Sequence, residues 1–217
     1  MFSNKQFDKN ELIRLVKQNN KLVIDIKKNM FNPKIRDRVR KEWGMEGMKV
    51  YAHVGIYFPV KNHLFLIRVF SEIIKKQENA RLVLIGEGEM RQQMESLIEE
   101  LGLQGKVILT GVRYDVPDLL QMVDVFMFPS IYEGLPLSLI EAQSAGLKCL
   151  ISDVITREVI VTDLVTQLPL NLGAEVWADK AIELSEEAMS YPRRDTRVEV
   201  ANAGYDVKQL AQWYSKL

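Results

Sequence analysis

From Met48 onward the chain alternates short runs that are apolar throughout with longer stretches whose apolar residues recur at helical spacing. The first run, Met48 to Gly55, closes on a glycine. Lys61 to Lys76 then puts Leu64, Ile67, Phe70 and Ile74 on one face, which predicts an amphipathic helix. Residues 81–86 predict a second strand, 89–101 a helix, 106–109 a third strand and 116–122 a short helix. Residues 124–128 predict a fourth strand, 136–145 a helix and 147–152 a fifth strand. A weaker sixth strand is expected near 164–168, with helices over about 174–189 and 206–216. Strands that are apolar on both sides and alternate with helices indicate a parallel sheet covered on both faces. Right-handed crossovers make it an α/β fold, a Rossmann-like doubly wound sheet of about six strands. Ligands of such sheets bind beyond the carboxyl ends of the strands, here the loops after Gly55, Gly86, Leu109, Phe128 and Ser152.

Residues 1–47 lack this rhythm, apart from the run Leu22-Val23-Ile24, and divide from 48–217 as a basic helical or interdomain segment. Pro33 followed by Ile35, Val39 and Trp43 predicts one amphipathic helix over 33–43. Net charge is zero over 217 residues, yet basic residues outnumber acidic ones two to one in the first 48. Because Arg36, Arg38, Arg40 and Lys41 alternate with Asp37 and Glu42, this stretch reads as a solvated helix face, not a nucleic-acid surface; peripheral membrane contact stays open. A composition of 47% hydrophobic and 27% charged residues is that of a globular domain. No apolar run approaches the ~20 residues of a membrane span. Polar residues at the N-terminus argue against a secretory signal, so a cytoplasmic location is expected, with the inner membrane face compatible. The lone Cys149, inside an apolar run, reads as a buried hydrophobe.

Candidate chemistry concentrates after the fourth strand, in Phe128-Pro129-Ser130-Ile131-Tyr132-Glu133-Gly134-Leu135-Pro136-Leu137-Ser138-Leu139-Ile140-Glu141-Ala142. Glu133 falls in the loop and Glu141 on the following helix, with Pro136 placed to suit the first helical turn. Free N–H groups at Gly134, Leu135, Leu137 and Ser138, together with the helix dipole, favour an anion such as a phosphate. Carboxylates flanking such an anion suit a ligand with hydroxyls on both sides of a diphosphate. Gly86-Glu87-Gly88-Glu89-Met90-Arg91 lacks the third glycine of a dinucleotide fingerprint, no P-loop is present, and no Cys/His cluster has metal-ligand spacing. His53, within a strand, reads as a packed core histidine, and His63 as structural.

The Glu133-to-Glu141 stretch resembles the Glu-x7-Glu motif of GT-B glycosyltransferases, family 4 in particular. His53-Val54-Gly55 with Lys61-Asn62-His63, Leu84 to Gly88, Gly111 to Val116, Ala142 to Gly146, and Ser152-Asp153 match in order over about residues 48–217. The details are similar to bacterial exopolysaccharide or capsule enzymes. The resemblance implies one half of a GT-B fold, the donor-binding domain of a retaining enzyme using a nucleotide sugar, preferentially a UDP-sugar, with no metal. It implies that Glu141 holds the ribose hydroxyls and Glu133 the donor sugar. Gly134 and Leu135 would hold the diphosphate through their amides, and Lys61 would neutralise it. Gly55, Gly86, Gly88, Arg113, Tyr114 and Val116 would line the nucleotide site.

Two departures qualify what the resemblance implies. The family usually carries an arginine directly after the first glycine, where this chain has Ile56. Only about 47 residues precede the first strand, so the N-terminal acceptor domain is expected to be absent or supplied by a partner subunit, with Ile24-Asp25 a remnant of the family's interdomain signature. An uncovered cleft face and the segment Tyr205–Leu217, with Leu210, Trp213 and Tyr214, would then favour self-association. The alternative reading is a non-catalytic nucleotide-sugar or partner module, and a third is an epimerase of the same architecture.

Overall fold

A computed structural model describes residues 23–190 and 192–208. Six parallel strands form one sheet: β1 (Lys49–Val54), β2 (Ala80–Ile85), β3 (Val107–Leu109), β4 (Val125–Phe128), β5 (Lys148–Ser152) and β6 (Val165–Leu168). Their spatial order is β3-β2-β1-β4-β5-β6, so the chain reverses direction of travel between β1 and β4. The strands read as apolar throughout because both faces are covered, yet the side chains still alternate. Val50, Ala52, Phe126 and Cys149 enter one buried cluster, while Tyr51, Val125, Met127 and Leu150 enter the other. β6, at the sheet edge, is only half-buried, which accounts for its weak sequence signal.

The helices are α1 (Ile26–Asn29), α2 (Pro33–Glu42), α3 (His63–Lys76), α4 (Arg91–Glu100), α5 (Val116–Met122), α6 (Leu137–Ser144), α7 (Gly173–Ser190) and α8 (Arg197–Asn202). α3, α4 and α7 cover one face of the sheet, with Phe70, Met94 and Trp177 buried there. α1, α2, α5, α6 and α8 cover the other. Residues 23–47 pack into this same core through Ile24, Ile26, Val39 and Met45, and Ile24 bridges to Asp206.

The basic face of α2 is where the structure corrects the sequence reading. Arg36 and Arg40 are not solvated: each binds the buried Asp124, at 2.5 and 2.6 Å. Their guanidinium groups also donate to the carbonyls of Gln121, Met122 and Val123 at the carboxyl end of α5, where the helix dipole favours cations. Arg38, paired with Asp118 and Glu42, keeps the exposed character expected of the whole face. The helix expected over 206–216 and the patch of Leu210, Trp213 and Tyr214 lie almost wholly outside the described residues. Cys149 is fully buried.

Candidate functional site at the carboxyl edge of the sheet

Four segments converge beyond the carboxyl ends of β1, β2, β3 and β4. After β1 the chain runs through Gly55, Ile56, Tyr57 and Phe58 into a 3-10 turn, Pro59–Lys61. The helix expected from Lys61 therefore starts later, at His63, because Asn62 takes the left-handed conformation (φ 59°) and breaks the turn from α3. Lys61 is thus carried on a projecting turn, not on the helix itself. Asn62 Nδ2 donates to the Pro129 carbonyl at 3.2 Å, and the Ile131 N–H donates to the Val60 carbonyl at 2.8 Å. These two bonds tie the lysine turn to the loop after β4.

That loop delivers Glu133 to Lys61, with Nζ 2.6 Å from Oε1 and side-chain exposures of 16% and 10%. Lys61 Nζ also lies 5.4 Å from the centre of the Phe128 ring. The chain then turns at Pro136, which caps α6 instead of entering its first turn. Among the described residues no protein acceptor meets the amides of Gly134, Leu135, Leu137 or Ser138, and a side chain built at Gly134 would meet nothing within 4 Å. One turn along α6, Glu141 is half-buried; among the described residues no donor reaches its carboxylate, and burial raises its pKa above the usual carboxylate value. A carboxylate held in that condition is a ready acceptor for hydroxyls.

The glycines after β2 have a packing role in the structure. Gly86 (φ 151°) and Gly88 (φ 159°) sit where a Cβ would come within 1.9 Å of the Gly55 oxygen and 2.5 Å of the Tyr57 oxygen. Their bare backbones therefore let the β1 and β2 loops lie directly against each other, sealed by Tyr57 N–H to the Glu87 carbonyl at 2.9 Å and Tyr57 Oη to the Leu84 carbonyl at 2.7 Å. Arg113 is committed to Asp115 through two bonds of 2.8 and 2.6 Å, while Tyr114 stands 97% exposed and Val116 opens α5. Ile56, 59% exposed, occupies the place of the family arginine. Among the described residues no three His, Cys, Asp or Glu side chains gather as a metal-holding group.

Beneath Lys61 lie the two histidines. His53 donates from Nδ1 to the Met127 carbonyl at 2.9 Å, and its ring meets His63 edge-on at 4.8 Å. Both are buried, and among the described residues neither His53 Nε2 nor either nitrogen of His63 meets a partner. Burial, with the Lys61 charge nearby, brings the His63 pKa down to about 4 and holds His53 well below its ordinary value. The unfolded chain therefore binds more protons than the folded one between about pH 6.5 and 4, so stability present above that window falls on acidification through it. For His63 alone the loss at pH 5 is about 2 kcal/mol. Urea midpoints measured at pH 7 and pH 5 should show this loss, and a His63→Gln variant should show a smaller one.

Sequence reading missed Asn62 as the tie between the two loops, and Gln143, which fastens α6 to the segment after β5. Gln143 donates to the Leu139 and Val159 carbonyls and accepts from Val161 N–H, Thr162 N–H and the Thr162 hydroxyl. Its place in Ala142-Gln143-Ser144-Ala145-Gly146 was the available signal.

With the Lys61–Glu133 pair placed just before α6 and Glu141 on that helix, comparison with known proteins becomes informative. Residues 35–206 match the profile of the family described as Glycosyl transferases group 1. The chain belongs to this family. It is 36% identical over 162 residues to EpsF of Bacillus subtilis (strain 168), a glycosyltransferase by name, covering 74% of this chain and 42% of that protein. It is 34% identical over 108 residues to the Escherichia coli UDP-Gal:alpha-D-GlcNAc-diphosphoundecaprenol alpha-1,3-galactosyltransferase, covering 48% of this chain and 28% of that enzyme. Among solved structures, Anabaena Alr3699/HepE in complex with UDP and glucose superposes with a TM-score of 0.75 at 17% identity, over 89% of this chain and 54% of that one. WaaG, a glycosyltransferase involved in lipopolysaccharide biosynthesis, superposes with a TM-score of 0.64 at 23% identity, over 81% and 48%. At these identities the shared property is the fold, the GT-B type. The family member described here matches less than half the length of either curated relative. No described helix is long and apolar enough to cross a membrane.

Proposed function

We propose that this chain provides the donor-binding half of a retaining glycosyltransferase of polysaccharide biosynthesis, taking a nucleotide sugar, with UDP preferred as the nucleotide. The observation that carries the reading is the Lys61–Glu133 contact directly before four amides that, among the described residues, meet no protein acceptor, with Glu141 on the helix that follows. The amides of Gly134, Leu135, Leu137 and Ser138 face the diphosphate, supported by Lys61 and the helix dipole. Glu141 takes the ribose diol, and Glu133 takes hydroxyls of the sugar. Gly55, Gly86 and Gly88 shape the wall beside the nucleotide, and Tyr114 and Val116 border the base. Phosphate charge is met by these donors without a metal, so EDTA should leave the nucleotide isotherm unchanged.

Transfer also requires an acceptor hydroxyl held against the anomeric carbon in a closed cleft. In this reading the acceptor side comes from a further domain or a partner subunit. The relatives named above support the nucleotide preference: one is a UDP-galactose enzyme, another was solved with UDP and glucose. Calorimetric titration of the chain with UDP and with GDP tests the proposal. Saturable binding of one of them is expected, and absence of heat from both at millimolar nucleotide overturns it.

Ile56 favours a second reading, a module that no longer supports productive donor chemistry. It leaves position 56 uncharged, so the loop after β1 offers the diphosphate Lys61 alone. An Ile56→Arg variant should tighten UDP binding by about tenfold, the value of one charge-assisted contact. Unchanged affinity would show that position 56 does not face the phosphates.

A further inference from the structure

Within the donor-site reading, Lys61 and Glu133 are the groups assigned to the diphosphate and to the sugar. In this structure they are assigned to each other. Their 2.6 Å contact is largely shielded from water, and the two loops that carry them are fastened together by Asn62 and Ile131. Separation of the charges therefore needs side-chain rotation, not loop opening. Nearby cations are committed elsewhere: Arg91 to Glu87 and Glu95, Arg113 to Asp115. Ile56 brings none. Among the described cations of these loops, Lys61 is thus the one over which a diphosphate and Glu133 compete.

A free nucleoside diphosphate that draws Lys61 away leaves the Glu133 carboxylate shielded, unpaired and next to an anion. Both consequences are unfavourable. A nucleotide with its sugar attached removes the penalty, because sugar hydroxyls donate to Glu133 as the phosphates take Lys61. We propose that the Lys61–Glu133 ion pair makes the site discriminate the sugar-loaded nucleotide from the spent one, with Glu133 acting through Lys61. Once the sugar has been transferred, Glu133 recaptures Lys61 and the nucleotide product is released more readily. Glu133 is then a specificity-determining residue whose removal strengthens product binding, an effect opposite to that of losing an ordinary ligand contact.

This inference rests on the donor-site reading, and one set of titrations separates the two. UDP and UDP-glucose are titrated into the whole chain, the Glu133→Gln and Glu133→Asp variants, Lys61→Met, and the Lys61→Met/Glu133→Gln double variant, with thermal melting confirming that each is folded. Gln removes the competing charge, and Asp withdraws it from the lysine's reach, so one variant serves if the other fails to fold. Glu133→Gln should bind UDP about fivefold tighter than the unmodified chain. UDP-glucose should gain nothing, so the preference for the sugar-loaded form collapses. In the Lys61→Met background the tightening should vanish. UDP binding that is unchanged or weaker in both Glu133 variants overturns the proposal while leaving the donor site standing. Failure of every chain, unmodified included, to bind either nucleotide overturns both.

Discussion

A Glu141→Ala chain is expected to bind UDP at least about tenfold more weakly than the unmodified chain, while melting at the same temperature or higher. The two halves of that result have one cause. Glu141 lies half-buried on α6 with its pKa raised by desolvation, and among the described residues no donor offsets that cost. A carboxylate in such a place is unfavourable for the fold and favourable for a ligand that brings hydroxyls. Alanine removes the desolvated group and is the better helix former, so the fold should gain or hold. The lost interaction is a charge-assisted pair of hydrogen bonds to a diol, each about 1.5–3 kcal/mol, which puts the expected loss at tenfold or beyond. Parallel calorimetry and differential scanning of the two chains measure both quantities. A variant that binds UDP normally would remove Glu141 from the ribose, and one that melts much lower would make it a structural residue.

The largest stability effect is expected at the other end of the sheet. Asp124, its side chain 3% exposed, accepts from Arg36 at 2.5 Å, from Arg40 at 2.6 Å and from the Val50 N–H at 2.8 Å. Arg193, half-buried nearby, donates to the carbonyls of Leu120, Gln121 and Ala145, and its charge is held in the same neighbourhood as the other two guanidinium groups. Asp124→Ala leaves this group of arginines without its carboxylate and strands the Val50 amide. Breaking a buried pair in that way costs about 3–5 kcal/mol. Arg38→Ala, which breaks only exposed pairs on the same helix, should cost no more than about 1 kcal/mol. Urea unfolding followed by circular dichroism distinguishes the two, and near-equal losses would contradict the account of Asp124 as the buried partner that holds α2.

That contrast also shows what the sequence could reveal. The first five strands announced themselves because burial on both faces demands apolar runs, whereas the half-buried edge strand β6 showed only weakly. Arg36 and Arg40 were misread because local charge alternation says nothing about Asp124, more than eighty positions along the chain. Short elements escaped for a similar reason. α1 and α8, of four and six residues, are too brief to show a helical period and are held by contacts with α6 instead. The start of α3 shifted by two residues because the left-handed turn at Asn62 depends on its bond to Pro129, again a non-local partner. At the candidate site, Glu133 and Glu141 were legible as a spaced pair and Lys61 through a resemblance. Their assembly was not: the Lys61–Glu133 contact spans 72 positions and exists only because the crossover places β1 beside β4. The packing role of Gly86 and Gly88 was equally hidden, since the backbone they accommodate belongs to another loop.

The central claim is that a nucleotide docks on the amides at the start of α6, between Lys61 and Glu141. The most direct measurement is amide NMR of the isotopically labelled chain during titration with UDP. The account predicts saturable shifts at Gly134, Leu135, Leu137 and Ser138, with smaller ones along Gly55 to Lys61, and little change at the Asp124 end of the sheet. Saturable shifts that leave 134–138 untouched, or none at millimolar UDP, would contradict it.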